Sequence, residues 1–198
     1  MPRFALLIFG SILLSGCNAT VSTTSTHGLA VETLKVCSGY GCKISDTFQP
    51  SEEDVERLVA IMKDGAASPE AERTAIKRAI AEFETTARRH LRYQPDVKKA
   101  YQKHLGKRGQ MDCVDESLNT TGYLAFMAHR GLLKHHRVRK HYAERGLIVD
   151  GRYPHKSAVI IDSAETVWTV DSWYHDDGVE PEIMRLSAWR KVRDSFSI

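Results

Sequence analysis

Three residues that could together carry out nucleophilic chemistry occur in order along the chain of 198 residues. Cys113 follows Asp112, His155 begins the segment His-Lys-Ser-Ala-Val-Ile-Ile, and Asp171 lies in Val-Trp-Thr-Val-Asp-Ser-Trp. A cysteine nucleophile needs a base that removes its proton, and the base needs a third group that orients its ring. The order of thiol, imidazole and carboxylate therefore predicts a Cys-His-Asp triad.

The predicted nucleophile lies at the start of a helix. Asp112 is a typical N-cap residue, Asp115 occupies the N3 position, and Gly131 ends the helical pattern. The first turn of a helix presents unpaired N–H groups and the positive end of the helix dipole, and both stabilise a thiolate. The acidic residues around Cys113 favour an accessible nucleophile over a buried, inert thiol.

The predicted base and its carboxylate lie on two neighbouring strands. Residues 156–162 and 166–173 are apolar and β-branched, and the Ser-Ala-Glu segment between them is typical of a hairpin turn. His155 lies eight residues before this turn and Asp171 lies six residues after it. Because a hairpin pairs residues at similar distances from its turn, we expect the two side chains to lie side by side.

Helices precede this predicted sheet. The chain shows helix starts at Ser51 and at Ser68-Pro69, and the apolar stripe of the second helix extends to Leu91. A short third helix is expected over residues 96–105, and further strands are expected over residues 134–142 and 182–186, with a turn at 187–189. Helices followed by an antiparallel sheet predict an α+β fold.

The N-terminal residues resemble a bacterial lipoprotein signal. Arg3 precedes a short apolar run that closes on Leu14-Ser15-Gly16-Cys17. The resemblance implies removal of residues 1–16, a diacylglycerol group on the Cys17 sulfur and an acyl chain such as palmitate on the new N-terminus. Asn18 follows in place of an Asp retention signal, so the expected location is the outer membrane, facing the periplasm. A plain secretory signal or a short anchor is the alternative.

The remaining chain divides into a tether and a domain. Residues 17–50 form the expected tether, and residues 51–198 form the expected enzyme domain. Within the tether, Cys37 and Cys42 enclose a Gly-rich loop that can close as a disulfide in an oxidising compartment. This pairing leaves Cys113 without a partner, which suits a nucleophile.

Charge and histidine content favour neither a nucleic-acid partner nor a metal. The formal net charge is only +3, and the basic run at residues 135–141 is typical of a solvated strand edge. His135, His136 and His141 lack the spacing and the additional ligands of a zinc site. We therefore expect no bound metal, no cofactor and no nucleic acid.

The motifs around the predicted triad resemble the bacterial transglutaminase-like cysteine proteinases. Gln-Met-Asp-Cys-Val-Asp around Cys113 is similar to their Gly-Asp-Cys-x-Asp segment, His-Lys-Ser-Ala-Val at His155 to their His-Ala-Val strand, and Thr-Val-Asp-Ser at Asp171 to their Leu-Asp-Asn strand. The resemblance covers residues 75–190. It implies a papain-like or transglutaminase-like core that cleaves or transfers amide bonds of a protein or peptide substrate through a thioester.

The resemblance also assigns roles. It implies that Cys113 is the nucleophile, His155 the base and Asp171 the orienting carboxylate, and Gln110 is a candidate oxyanion donor beside the Cys113 N–H, as a Gln serves in papain-like enzymes. Two positions depart from the family pattern. Met111 replaces a Gly, and Val114 replaces an acid that calcium-binding members carry, so the sequence does not predict calcium dependence.

Two other functions are compatible with the same residues. Peptidoglycan endopeptidases of the NlpC/P60 type also place Asp-Cys at a helix start, but they read Asp-Cys-Ser-Gly and their third polar residue is usually a His. The second alternative is a non-catalytic envelope lipoprotein with a degenerate papain-like binding domain. Trp168, Trp173, Tyr174 and Trp189 would then form its binding surface.

Overall fold

The structure is a computed structural model that describes residues 33–99, 104–146 and 154–193. It has an α+β fold, as the sequence predicts. In the described ranges the helices are α1 (Glu52–Lys63), α2 (Pro69–Leu91), α3 (Cys113–His129) and the short α4 (Leu186–Trp189). The strands are β1 (Leu34–Ser38), β2 (Ile44–Phe48), β3 (His136–Val138), β4 (Ala143–Arg145), β5 (His155–Asp162), β6 (Val167–Asp171) and β7 (Glu182–Arg185).

The helices begin where their capping residues predict. Ser51 caps α1 in a reciprocal capping box with Asp54, and Ser68 caps α2 with Pro69 in the first turn. Arg92 ends α2 in a left-handed conformation. These local signals fix the helix boundaries without reference to the rest of the fold.

The main sheet is antiparallel and centres on β5. Its order is β3-β5-β6-β7, and β4 pairs with β5 as well. Both β3 and β4 lie along the same edge of β5, one after the other. Strand β3 pairs with residues 160–162 of β5, and β4 pairs with residues 155–157. The site end of β5 is therefore bordered by β4.

Helix α3 packs between the main sheet and the N-terminal hairpin. Buried Leu124 and Met127 on α3 lie in one apolar cluster with Ala158 and Ile160 of β5. Phe83 of α2 belongs to the same cluster, and its ring stacks on Tyr123 at 4.8 Å between centroids. Burial of these side chains supplies the main driving force for docking α3, at about 25 cal/mol per Å² of apolar surface.

The expected domain boundary at Ser51 is too late in the chain. Residues 34–48, assigned to the tether from sequence, form the hairpin of β1 and β2. Leu34, Val36 and Phe48 of this hairpin lie in the main core. The packed unit thus includes residues 34–48, and the alternating apolar residues Leu34 and Val36 of β1 are the sequence signal for this strand.

Two further predicted elements are wrong. The strand expected over residues 134–142 is interrupted, because only His136–Val138 pairs as β3 before the chain bends toward β4. The helix expected over residues 96–105 does not form at residues 96–99, where residues 98 and 99 make a turn; residues 100–103 lie outside the described ranges, and His104 lies in a 3₁₀ turn. Asp96 accepts the N–H of Met111, and the N–H of Lys99 donates to Trp173 C=O instead of to a carbonyl within the segment.

The predicted signal peptide, Cys17 and the start of the tether lie outside the described residues. Within the described ranges, no helix combines the length and the apolar character needed to cross a bilayer.

Candidate active site

The start of α3 is fixed by its own carboxylates. Asp112 is the N-cap, and its Oδ1 accepts the N–H groups of Val114 and Asp115 at 3.0 and 2.9 Å. The Asp115 side chain in turn accepts the Asp112 N–H at 3.3 Å, which completes a capping box. Cys113 is thereby placed in the first turn of the helix, as the sequence predicts.

The disulfide loop clamps this helix start. Cys37 and Cys42 form a disulfide, and the loop between them runs in left-handed conformations from Gly39 to Cys42. Its N–H groups at Tyr40 and Cys42 donate to the two oxygens of Asp115, at 2.8 and 2.5 Å. Successive left-handed residues turn their N–H groups to one side and make such a concave anion site. The loop that sequence placed in the tether is therefore part of the site's support.

His155 and Asp171 meet across the β5 and β6 hairpin. Ala158 pairs with Val170, and one pair further this register sets Asp171 opposite Ser157. His155 precedes Ser157 by two residues, so the side chains of His155 and Asp171 lie on one face of the sheet as diagonal neighbours. The His155 Nε2 atom lies 2.8 Å from Asp171 Oδ2. The contact predicted from sequence is present, with an offset of one diagonal step.

Cys113 lies against the backbone on both sides of His155. Its Sγ atom is 4.0 Å from the carbonyl oxygen of Pro154, and the N–H of Lys156 donates to the sulfur. These contacts place the Cys113 sulfur against the backbone on either side of His155.

The Nδ1 atom of His155 is buried and has no hydrogen-bond partner among the described residues, Cys113 included. Buried polar atoms are rarely left unpaired, and exceptions often mark catalytic positions. The arrangement leaves one ring nitrogen bonded to the carboxylate and the other without a partner in the described part of the chain.

Cys113 itself is buried, contrary to the expectation from its acidic neighbours. The residue is 6% exposed. Burial raises the pKa of the Cys113 thiol to about 12, and the charges of Asp112 and Asp171 act in the same direction, whereas the Lys156 N–H opposes them. The helix start therefore does not outweigh desolvation, and the resting sulfur is a thiol that needs a base.

Gln110 is also buried, and its side chain is partly committed elsewhere. Its amide Nε2 donates to Pro95 C=O at 2.8 Å, and its Oε1 has no hydrogen-bond partner among the described residues. No hydrogen bond joins Gln110 to Cys113. Gln110 thus ties the segment at Pro95 to the start of α3, and only its second amide hydrogen remains for an oxyanion.

Aromatic rings enclose His155. The ring centroids of Trp173, Tyr174 and Trp189 lie 4.7, 5.4 and 5.6 Å from that of His155. Trp173 and Trp189 are 2% and 0% exposed, so the sequence-based suggestion that they form an exposed binding surface is wrong. Trp189 also donates its Nε1 hydrogen to Asp171 Oδ2 at 2.6 Å, a contact that sequence reasoning missed.

A group of buried carboxyl groups lies behind the site. Burial is the main cause that raises the pKa of Glu84 to about 8 and that of Asp96 to about 7, and it raises the pKa of Glu116 well above its usual value. Arg88 pairs with the fourth member, Asp177, at 3.1 Å. The other three must share protons, since a single cation cannot balance four carboxylates. These four acids are spread singly over 94 residues of the chain, so no local sequence motif predicts that they cluster.

An open cleft of about 460 Å³ adjoins the aromatic rings at Tyr174. Lys98, Lys99 and Val179 also line it. Among the described residues, no group of three or more His, Cys, Asp or Glu side chains has the geometry of a metal site. His135 and His136 are bonded to Ala66 C=O and to Glu72.

Comparison with protein-family models, with curated proteins and with solved structures finds no match to this chain. The chemical interpretation of the site rests on its own geometry.

Proposed function

We propose that this protein is an envelope lipoprotein whose domain is a thiol enzyme that cleaves or transfers amide bonds through a thioester. The observation that supports this most is the buried His155, bonded to Asp171 through Nε2 and without a partner at Nδ1 among the described residues, with the Cys113 sulfur 4.0 Å from the carbonyl oxygen of the preceding Pro154. In this proposal Cys113 is the nucleophile, His155 the base and Asp171 the orienting carboxylate, as the resemblance to the transglutaminase-like cysteine proteinases implies. A papain-like or transglutaminase-like core is part of the same proposal.

The geometry suits a base-assisted attack. His155 Nδ1 takes the Cys113 proton as the sulfur bonds to the substrate carbonyl carbon, and Asp171 stabilises the imidazolium that forms. When the tetrahedral intermediate collapses, the C–N bond breaks and the proton passes from Nδ1 to the leaving amine. Water or a second amine then attacks the thioester carbon, which releases an acid or a new amide and returns the proton to sulfur.

The burial of the thiol is compatible with this mechanism. A thiol with a pKa of about 12 is almost entirely protonated at neutral pH, so very little free thiolate is present in the resting protein. Its reactivity then depends on concerted transfer of its proton to His155. Because the sulfur is buried, a binding substrate has little water to displace from it.

Two alternatives make different predictions. An NlpC/P60-type peptidoglycan endopeptidase usually has His as its third polar residue, and here Asp171 occupies that position. A non-catalytic binding domain would use Trp173 and Trp189 at its surface, yet both are buried against His155. Both observations favour the transglutaminase-like interpretation.

Trapping of the acyl-enzyme tests the proposed activity. Purified protein would be mixed with envelope extract, quenched in acid and digested, and the Cys113 peptide would be analysed by mass spectrometry. We expect an acyl adduct on Cys113 in wild type that is sensitive to hydroxylamine and absent in His155→Ala. A Cys113 peptide without any acyl adduct, in extracts that contain both proteins and muropeptides, would favour the non-catalytic alternative.

Membrane attachment is a separate part of the proposal. It rests on the Leu-Ser-Gly-Cys sequence ending at Cys17 and places the domain at the outer membrane, facing the periplasm. Cys17→Ser should abolish lipidation and shift the protein from the membrane fraction to the soluble fraction. A Cys17→Ser protein that still carries lipid by mass spectrometry would contradict this assignment.

A further inference from the structure

A single oxygen of Asp171 accepts two hydrogen bonds. His155 Nε2 lies 2.8 Å from Oδ2, and Trp189 Nε1 donates to the same oxygen at 2.6 Å. The Trp189 residue is 0% exposed, so no water competes for its indole hydrogen. The proposed triad of Cys113, His155 and Asp171 does not itself require this bond from Trp189.

The indole bond limits where the Asp171 carboxylate can point. An indole N–H can only donate and a carboxylate oxygen can only accept, so the bond from Trp189 holds Oδ2 in place beside His155 Nε2. The hydrogen between Oδ2 and His155 must then belong to Nε2, and in the neutral ring Nδ1 has the free lone pair.

We propose that Trp189 is a positioning residue whose indole N–H holds Asp171 Oδ2 against His155 Nε2 and so keeps His155 in the Nε2–H tautomer. The inference rests on the proposed function, because the tautomer matters only if Nδ1 accepts the Cys113 proton. It assigns the C-terminal helix α4 a part in the chemistry.

The surroundings of Trp189 hold the indole in place. It is the last residue of α4 and packs in an apolar cluster with Ala143, Val159 and Ile161. The guanidinium of Arg145 lies 4.9 Å from its ring centroid, on the face of the indole. A ring fixed on several sides keeps its N–H directed at one oxygen.

The chain offers a matched control for this bond. Trp168 donates its Nε1 hydrogen to Asp162 Oδ2 at 2.9 Å, near the turn of the same hairpin and away from His155. Trp189→Phe and Trp168→Phe each remove one indole bond to one aspartate. Only the first should affect the site.

The test measures the tautomer of His155 directly. The ¹⁵N shifts of its ring nitrogens are recorded in full-length protein without bound substrate, at a pH where the ring is neutral. We expect one protonated Nε2 and one unprotonated Nδ1 in wild type and in Trp168→Phe. In Trp189→Phe, Oδ2 is free to turn away from Nε2, so the two shifts should move toward each other as tautomers mix, and alkylation of Cys113 at neutral pH should slow by about tenfold because less His155 has its lone pair on Nδ1.

Unchanged His155 shifts in a folded Trp189→Phe protein would overturn the inference. If this variant does not fold, benzothienylalanine at position 189 keeps the shape of the indole and removes its N–H, and the same readings apply. Failure of the proposed function gives a different pattern. In that case His155→Ala would leave Cys113 alkylation unchanged, whatever the tautomer in Trp189→Phe.

Discussion

At the scale of single residues, two effects compete at Cys113. The helix start favours a thiolate, but burial to 6% exposure and the nearby acids outweigh it and raise the thiol pKa to about 12. A nucleophile with this pKa depends on its base. In the proposed mechanism that base is His155, whose Nδ1 has no partner in the described part of the chain.

Asp171 should contribute to the rate without being essential. In Asp171→Asn the amide oxygen can still accept from both His155 and Trp189, but a neutral amide stabilises the imidazolium less than a carboxylate does. We expect acylation of Cys113 to slow by roughly a hundredfold, a typical contribution to acid–base catalysis. Asp171→Ala should slow acylation further, because the ring loses its orienting partner. Single-turnover acylation rates for the three proteins provide the comparison, and an Asp171→Ala rate equal to wild type would contradict this role.

At the scale of elements, the local signals were the reliable ones. The caps at Ser51, Ser68 and Asp112 place three helix starts correctly from sequence, and the hairpin of β5 and β6 brings His155 to Asp171 as predicted. These features depend on residues close together in the chain, where propensity and spacing decide the outcome.

The features that sequence missed depend on distant residues. The disulfide loop contacts Asp115 across more than 70 positions, and residues 96–99 do not form the predicted helix, because Asp96 bonds to Met111 and Lys99 to Trp173. Trp189 was predicted in a turn, and its bond to Asp171 arises only once α4 packs on the sheet. Gly109 shows the same dependence. Its left-handed backbone is packed so closely on the Tyr93 ring that a Cβ would lie 2.6 Å from it.

The disulfide should stabilise the start of α3. Replacing Cys37 and Cys42 together by Ser should lower the free energy of unfolding by about 1–2 kcal/mol, since the bridge closes a short loop. It should also increase hydrogen exchange at the N–H groups of Tyr40 and Cys42, which bond to Asp115. Urea denaturation and hydrogen exchange measure both effects.

Thiol counting is the control for this prediction. Mature wild-type protein, denatured without reductant, should have one free thiol, that of Cys113. A count of three would show that the bridge is absent, and unchanged exchange in the double variant would show that it does not support α3.

At the scale of the whole molecule, the buried carboxyl groups make stability depend on pH. Below about pH 4.5 both folded and unfolded chains hold the protons of these groups, so burial has no ionisation cost. As pH rises toward the folded pKa of Glu84, about 8, the unfolded chain releases its protons first and gains stability relative to the folded one. These groups therefore destabilise the fold progressively between about pH 4.5 and 8.

Glu84→Gln should reduce this pH dependence. Glu84 accepts the N–H of Gly178 at 2.8 Å, and a glutamine can keep that bond without a charge. We expect the variant to gain more than about 1 kcal/mol relative to wild type at pH 8 and little at pH 5. Thermal unfolding at the two pH values measures the difference, with the exposed Glu56→Gln as control. Equal effects at both pH values would contradict the raised pKa.

The pH dependence of Cys113 alkylation in wild type and His155→Ala tests the central claim most directly. It needs no substrate, and a small reagent such as iodoacetamide reports how readily sulfur loses its proton. His129→Ala, an exposed residue at the opposite end of α3, is the control. We predict measurable reaction at neutral pH in wild type and in the control, because His155 can take the thiol proton as the sulfur attacks the reagent, whereas His155→Ala should react only as rising pH ionises the buried thiol. Superimposable profiles for wild type and His155→Ala would contradict a Cys113-His155 pair.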